Sequence, residues 1–197
     1  MVDYHVVLGV VTVAMGIVAY ALYLRSIFQG ITKPHPFTWF LFGLVDGTVF
    51  IASTIHGGGP GAWAFGVASL INFGIFLLAL WWGEKRIARI DWICLFAALV
   101  GIAAWVVTNN ALYAVLLACL SDALAKIPTI RKSYVNPNEE SLSIWSIDLL
   151  KYTLVLGALS SVTLTTALFP IEIVLSNAIV VAVILMRRQL AVKAQTR

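Results

Sequence analysis

The sequence predicts an all-α membrane protein, a bundle of seven transmembrane helices built as two parallel three-helix repeats joined by a linker helix (3+1+3). Three observations carry that expectation. The first is composition: 61% of the side chains are hydrophobic and 11% are charged, against about 25% charged in a soluble domain. Apolar runs at 5–28, 37–55, 62–82, 92–108, 111–127, 142–164 and 171–186 use nearly the whole chain. Most reach the roughly 17 to 25 residues that a spanning helix needs, and the last is borderline. No soluble domain fits, so function must lie between helices.

The second observation is charge asymmetry. Arg25 and Lys33 lie at the first connection, Lys85, Arg86 and Arg89 at the third, Lys126, Arg131 and Lys132 at the fifth, and Arg187, Arg188, Lys193 and Arg197 in the tail. The second, fourth and sixth connections carry none. This positive-inside pattern predicts an external N-terminus and a cytoplasmic C-terminus in a plasma or inner membrane. The net charge of +4 is then accounted for by topology, and no nucleic-acid partner is expected. The partners expected are the lipid bilayer and a small-molecule substrate, with a homo-oligomer as an open alternative.

The third observation is a duplication. A shift of 105 lays Phe37 on Leu142, Thr38 on Ser143, Phe40 on Trp145, Asp46 on Lys151 and Asn72 on Asn177. The units are 1–83 and 111–197, the latter including a short basic tail, with a linker helix in 84–110. A three-helix unit ends on the side opposite its start, so a parallel copy requires one additional crossing.

Helix one lacks the basic start and small-residue cleavage site of a signal peptide, so it is expected to remain in the mature protein. His5, Gly9, Thr12, Gly16 and Tyr20 recur every three or four residues, a small and weakly polar stripe suited to close helix packing. His5 is expected at the interface. Helix two follows Pro34-His35-Pro36, where proline costs little, and places Trp39, Gly43, Asp46 and Phe50 on one face. Asp46 lies about ten residues in, near the midplane at a rise of about 1.5 Å per residue. The 57–61 stretch, Gly-Gly-Gly-Pro-Gly, is a flexible or tightly turned outer connection and no phosphate loop. Helix three carries Asn72 mid-membrane. Helix four has no counterpart in the duplication and is the linker.

Helix five presents Ala111, Ala114, Ala118 and Ser121, then Asp122, which either pairs with Lys126 one turn on or acts in gating. Pro128 is expected to stop or bend it. The 136–140 segment is an inner turn, with Ser141 or Ser143 as candidate caps for helix six. Helix six turns Trp145, Asp148, Lys151 and Tyr152 toward one broad face, with Asp148 and Lys151 as an i, i+3 pair. Helix seven offers Asn177 as its strong polar side chain at depth. Charges at bilayer depth are costly and point to function. Asp46, Asp148, Lys151 and Asp122 are therefore candidate gating or proton-coupling residues, and Asn72, Asn177, Trp39, Trp145 and Tyr152 candidate substrate-binding residues. The duplication further predicts that Asp46 and Lys151 face one another. Cys94 and Cys119 have no metal-ligand spacing and are read as packing residues; neither metal nor cofactor is expected.

Two parallel three-helix units, with an asparagine in the third helix of each, resemble the SWEET and PQ-loop superfamily, which includes relatives of cystinosin, the KDEL receptor and, in architecture, the nicotinamide riboside carriers. The stretch from Pro128-Thr129 through Ser141-Leu142-Ser143 resembles that family's Pro-Gln loop, with Thr129 where the glutamine would stand. Leu22-Tyr23 stands in its place in the first unit. The resemblance implies that Asn72 and Asn177 are similar to the paired pocket asparagines of sugar carriers, and that Asp46 or Asp148 is similar to the acids of proton-coupled members.

The expected function is a small-solute transporter with a midplane pocket between the repeats, with proton coupling as an option and an ionisable or zwitterionic substrate favoured by the Asp–Lys pair. The alternative is a ligand-binding receptor or sorting protein on the same fold. A retinal protein is disfavoured because the intramembrane lysine, Lys151, is on helix six and not helix seven. No His-Glu-x-x-His, Gly-x-Ser-x-Gly or metal-ligand cluster suggests an enzyme.

Overall fold

A computed structural model describes residues 3–30, 34–83, 89–139 and 142–195. Among these the chain forms seven α-helices and two short 3-10 turns, with no strand. The helices are α1 (Tyr4–Phe28), α2 (Pro36–Ile55), α3 (Trp63–Trp82), α4 (Arg89–Thr108), α5 (Leu112–Val135), α6 (Leu142–Ala158) and α7 (Leu164–Gln195). Five spans are long and apolar enough to cross a membrane: Tyr4–Arg25, Pro36–Ile55, Gly59–Trp82, Leu112–Val135 and Leu164–Leu190. Within α4 the apolar stretch is the shorter Leu95–Thr108, and α6 has 17 residues interrupted by Asp148 and Lys151. Large apolar side chains such as Leu70, Trp81 and Val107 face outward. Such a surface would associate in water and is satisfied by hydrocarbon, the make-up of an integral membrane protein.

Local chemistry sets the helix starts. Asp3 caps α1, its Oδ1 accepting from the His5 N–H at 3.0 Å. The His5 ring, 2.8 Å from the same oxygen, holds that carboxyl below its ordinary range. His35 caps α2 through Nδ1 and the Thr38 N–H, with Pro36 at the first helical position, where its missing donor costs nothing. A pair of threonines starts α7. The Thr166 N–H donates to Thr163 Oγ1 at 3.2 Å and the Thr163 N–H donates to Thr166 Oγ1 at 2.9 Å, a reciprocal cap.

One expectation about boundaries is corrected and two are narrowed. Helix six ends at Ala158 and α7 begins at Leu164, because the Ser-Ser-Val-Thr stretch at 160–163 turns the chain inside what looks like one apolar run. The reciprocal threonine cap accounts for the earlier start of α7. Helix α5 continues through position 128 to Val135, so Pro128 does not stop it. The capping roles proposed for Ser141 and Ser143 divide: Ser141 lies outside the described residues, and Ser143 is within the first turn of α6.

In the packing, α3 lies against both α1 and α2, and α7 lies against both α5 and α6. Across the bundle α1 meets α6 and α2 meets α5, while α4 packs mainly on α5. The 57–61 turn is compact. Gly57 and Gly59 adopt φ of +79° and +56°, which favours glycine. A Cβ at Gly61 would stand 2.6 Å from Leu159, and one at Gly9 of α1 would stand 2.7 Å from Pro60. The Ser160 N–H donates to the Gly58 carbonyl at 3.2 Å. The turn is thus wedged between α1 and the α6–α7 connection and closes that end of the bundle. At the opposite end, Arg187 donates to the Tyr134 carbonyl and Arg188 to that of Pro137.

Candidate functional site between the helices

A cavity of about 320 Å³ lies between α1, α2, α3, α5, α6 and α7. Asp46, Asn72, Trp39, Trp145, Tyr152, Asp148, Lys151 and Asp122 all line it. Asn177 does not; it is fully buried behind the wall. The helix-one stripe splits in the same way, with Gly16 and Tyr20 at the cavity and Thr12 buried, its Oγ1 donating to the Gly9 carbonyl.

Two like arrangements flank the space. Asn72 Nδ2 on α3 donates to Asp46 Oδ2 on α2 at 2.8 Å. Asn177 Nδ2 on α7 donates to Asp148 Oδ2 on α6 at 2.9 Å. In each the amide oxygen is buried without a hydrogen-bond partner, an uncommon state for a polar atom.

The lysines are held by acids on their own helices. Lys151 Nζ lies 2.7 Å from Asp148 Oδ1 and 4.2 Å from the centre of the Tyr152 ring, an attractive placement over an aromatic face. Asp148 thus receives a cation on one oxygen and an amide on the other. The expected contact between Asp46 and Lys151 is not formed: no hydrogen bond or ion pair joins them, and the field of Lys151 reaches Asp46 only through space. The physical reason is register. Asp148, one turn before Lys151 on α6, occupies the place opposite Asn177 that Asp46 occupies opposite Asn72, and it captures the lysine at short range.

Lys126 is a second correction. It lies within α5, its side chain is 12% exposed, it pairs with Asp122, and it donates to Ser176 Oγ of α7 at 2.7 Å. It lines the cavity and does not belong to the basic fifth connection. Its spacing to Asp122 was legible, but its depth was hidden by the basic residues that come after it. Glu172 of α7, half-buried beside Asp122 and Ser176, is a further polar group at depth, so Asn177 is not alone on that helix. Its position two residues after Pro170, inside an apolar run, was the available signal.

Aromatic rings complete the wall. Trp39 contacts Tyr23 and Tyr20, at centroid separations of 4.8 and 6.3 Å. Phe65 packs between Tyr152 and Phe169, each at 5.7 Å, and backs the cavity on the side of the glycine turn. Cys119 is a free thiol packed against the core; the Cys94 side chain lies outside those described. Compared with protein-family models, curated proteins and solved structures, the chain matches none.

Proposed function

We propose that this chain is a small-solute transporter of the SWEET and PQ-loop type, resident in a plasma or inner membrane, with its substrate held between two three-helix repeats. The observation that carries the reading is the repeated Asp–Asn pair. Asp46 with Asn72 on α2 and α3, and Asp148 with Asn177 on α6 and α7, bracket one polar cavity. The packing order supports the repeat: the third helix of each unit lies against the other two, and the cross-unit contacts α1–α6 and α5–α2 exchange under a two-fold operation. Helix α4, outside both triplets, is the linker. Parallel repeats with a site at their interface are a recurrent transporter design.

The cavity residues of α1 lie from its middle toward its C-terminal end and those of α2 from its start to its middle, both toward the first basic connection, while those of α5 and α6 extend past mid-helix. The opposite end is closed by the glycine turn. That asymmetry fits a state accessible from the basic, cytoplasmic side, which a rocking of one unit against the other would invert. Exchange of Lys151 between Asp148 and the through-space attraction of Asp46 is a means of linking such motion to protonation.

The test is uptake into proteoliposomes across a panel of labelled solutes, with and without an imposed proton gradient. Saturable flux that depends on the cavity residues supports the reading. Saturable binding without flux would replace it by the receptor alternative, and neither would reject both.

A further inference from the structure

We propose that the cavity selects a small organic cation, whose ammonium or guanidinium group is received by Asp46 and Asn72. The inference deepens the transporter reading and rests on it for every step after binding, while the binding preference itself stands on the site's chemistry.

Charge comes first. Three carboxylates, on Asp46, Asp122 and Asp148, and two lysines, Lys126 and Lys151, line the cavity. Each lysine is already committed to the acid on its own helix. Asp46 is left with a neutral amide as its hydrogen-bond partner, and of the three it is the most removed from solvent. Glu172, beside Asp122, adds an acid and no cation. The cavity-lining carboxyl left without a cation partner is therefore that of Asp46. A carboxylate in low dielectric without a cation is costly, and a cationic ligand relieves that cost.

Hydrogen bonding points the same way. Asn72 is 1% exposed, lines the cavity, and its Oδ1 has no partner. The Asp46 carboxylate and this carbonyl oxygen are both acceptors, which suits a ligand bearing N–H donors. Tyr20, Tyr23 and Trp39 cluster on the lining of the same space, and aromatic faces attract desolvated cations. Lys151 already places its ammonium over the Tyr152 ring in this way. Size sets the last limit. At about 30 Å³ per water, a cavity of about 320 Å³ holds roughly ten waters, and so a ligand of about ten non-hydrogen atoms.

The experiment is calorimetric titration of the purified full chain with three five-carbon probes of similar length: 5-aminopentan-1-ol, pentane-1,5-diol and 5-hydroxypentanoate. The cation is expected to bind at least tenfold more tightly than the neutral diol, and the anion not at all. Asp46→Asn should erase that preference and Asp46→Glu should retain it. Equal binding of all three probes, a preference for the diol or the anion, or no binding of the cation overturns the proposal. So does a preference that survives in a monodisperse Asp46→Asn protein, which would place the recognition elsewhere. Should Asp46→Asn fail to fold, the probe series on the unmodified chain decides alone. Proteoliposome flux separates the two claims. Cation preference without flux leaves this inference standing and removes the transporter, whereas flux of neutral solutes without cation preference does the reverse.

Discussion

Asn72 and Asn177 make the same bond to an aspartate and have different surroundings. Asn72 reaches the cavity, and Asn177 is sealed behind Asp148. Replacing Asn177 by Leu removes a fully buried amide that donates to Asp148, and a hydrogen bond to a charged group contributes about 1.5–3 kcal/mol. The expected outcome is a lowered midpoint of thermal unfolding in detergent with ligand binding retained in the protein that remains folded. Asn72→Leu should reduce binding at least tenfold, since Asn72 lines the ligand space and its oxygen is left without a partner. Equal effects of the two changes on binding would contradict this division. The Asp122–Lys126 pair allows a sharper measurement. Lys126→Met strands Asp122 and frees Ser176, so it should destabilise more than the double change Lys126→Met with Asp122→Asn. The difference should be about 0.5–3 kcal/mol, the usual range for groups in direct contact, as read from a double-mutant cycle of unfolding free energies.

At the scale of helices, two glycines on α1 separate packing from lining. A Cβ at Gly9 would meet Pro60 at 2.7 Å and its carbonyl oxygen at 2.9 Å, whereas Gly16 has nothing within 4 Å. Gly9→Ala should therefore cost about 1–3 kcal/mol, as overpacking does, by pushing α1 away from the turn at 59–62. Gly16→Ala should lie within about 0.5 kcal/mol of the parent; a stability loss there equal to that at Gly9 would refute the placement of α1. Much of this level was legible in the sequence. The prolines around His35 and the run of glycines at 57–61 punctuate the first helices, and the i, i+3 and i, i+4 spacings disclosed both lysine–aspartate pairs. The break between α6 and α7 was not, because Leu159, Val162 and a few hydroxyl residues keep the run apolar while the Thr163–Thr166 cap turns it. The Asp–Asn pairs were hidden for another reason. A single shift of 105 aligns the two asparagines but sets Asp46 against Lys151; matching the acids needs a shift of 102. Three residues are nearly one helical turn, so the same face is kept, and only the packed helices disclose which residue on it does the pairing.

For the whole molecule the decisive quantity is orientation. The connection before α2 and the end of α3 share one end of the bundle, since a Cβ at Gly83 would run into the Pro34 carbonyl oxygen. The end of α5 and the arginines of α7 are joined to each other by Arg187 and Arg188. The 57–61 turn and the α6–α7 connection share an end by the bond between Ser160 and Gly58. Basic residues near the ends of spanning segments are retained in the cytoplasm, so the sealed end should be external and the cavity should lie nearer the cytoplasm. Val162 is well exposed on the α6–α7 connection. In a chain with Cys94 and Cys119 changed to serine, Val162→Cys should react in intact cells with a membrane-impermeant maleimide. A reporter joined after Arg197 should be active only in the cytoplasm. Protection of Val162→Cys until the cells are opened, together with an external reporter, would reverse the molecule in the membrane. An external reporter with external labelling at 162 would mean that α7 does not span, and the two units could not then be parallel copies.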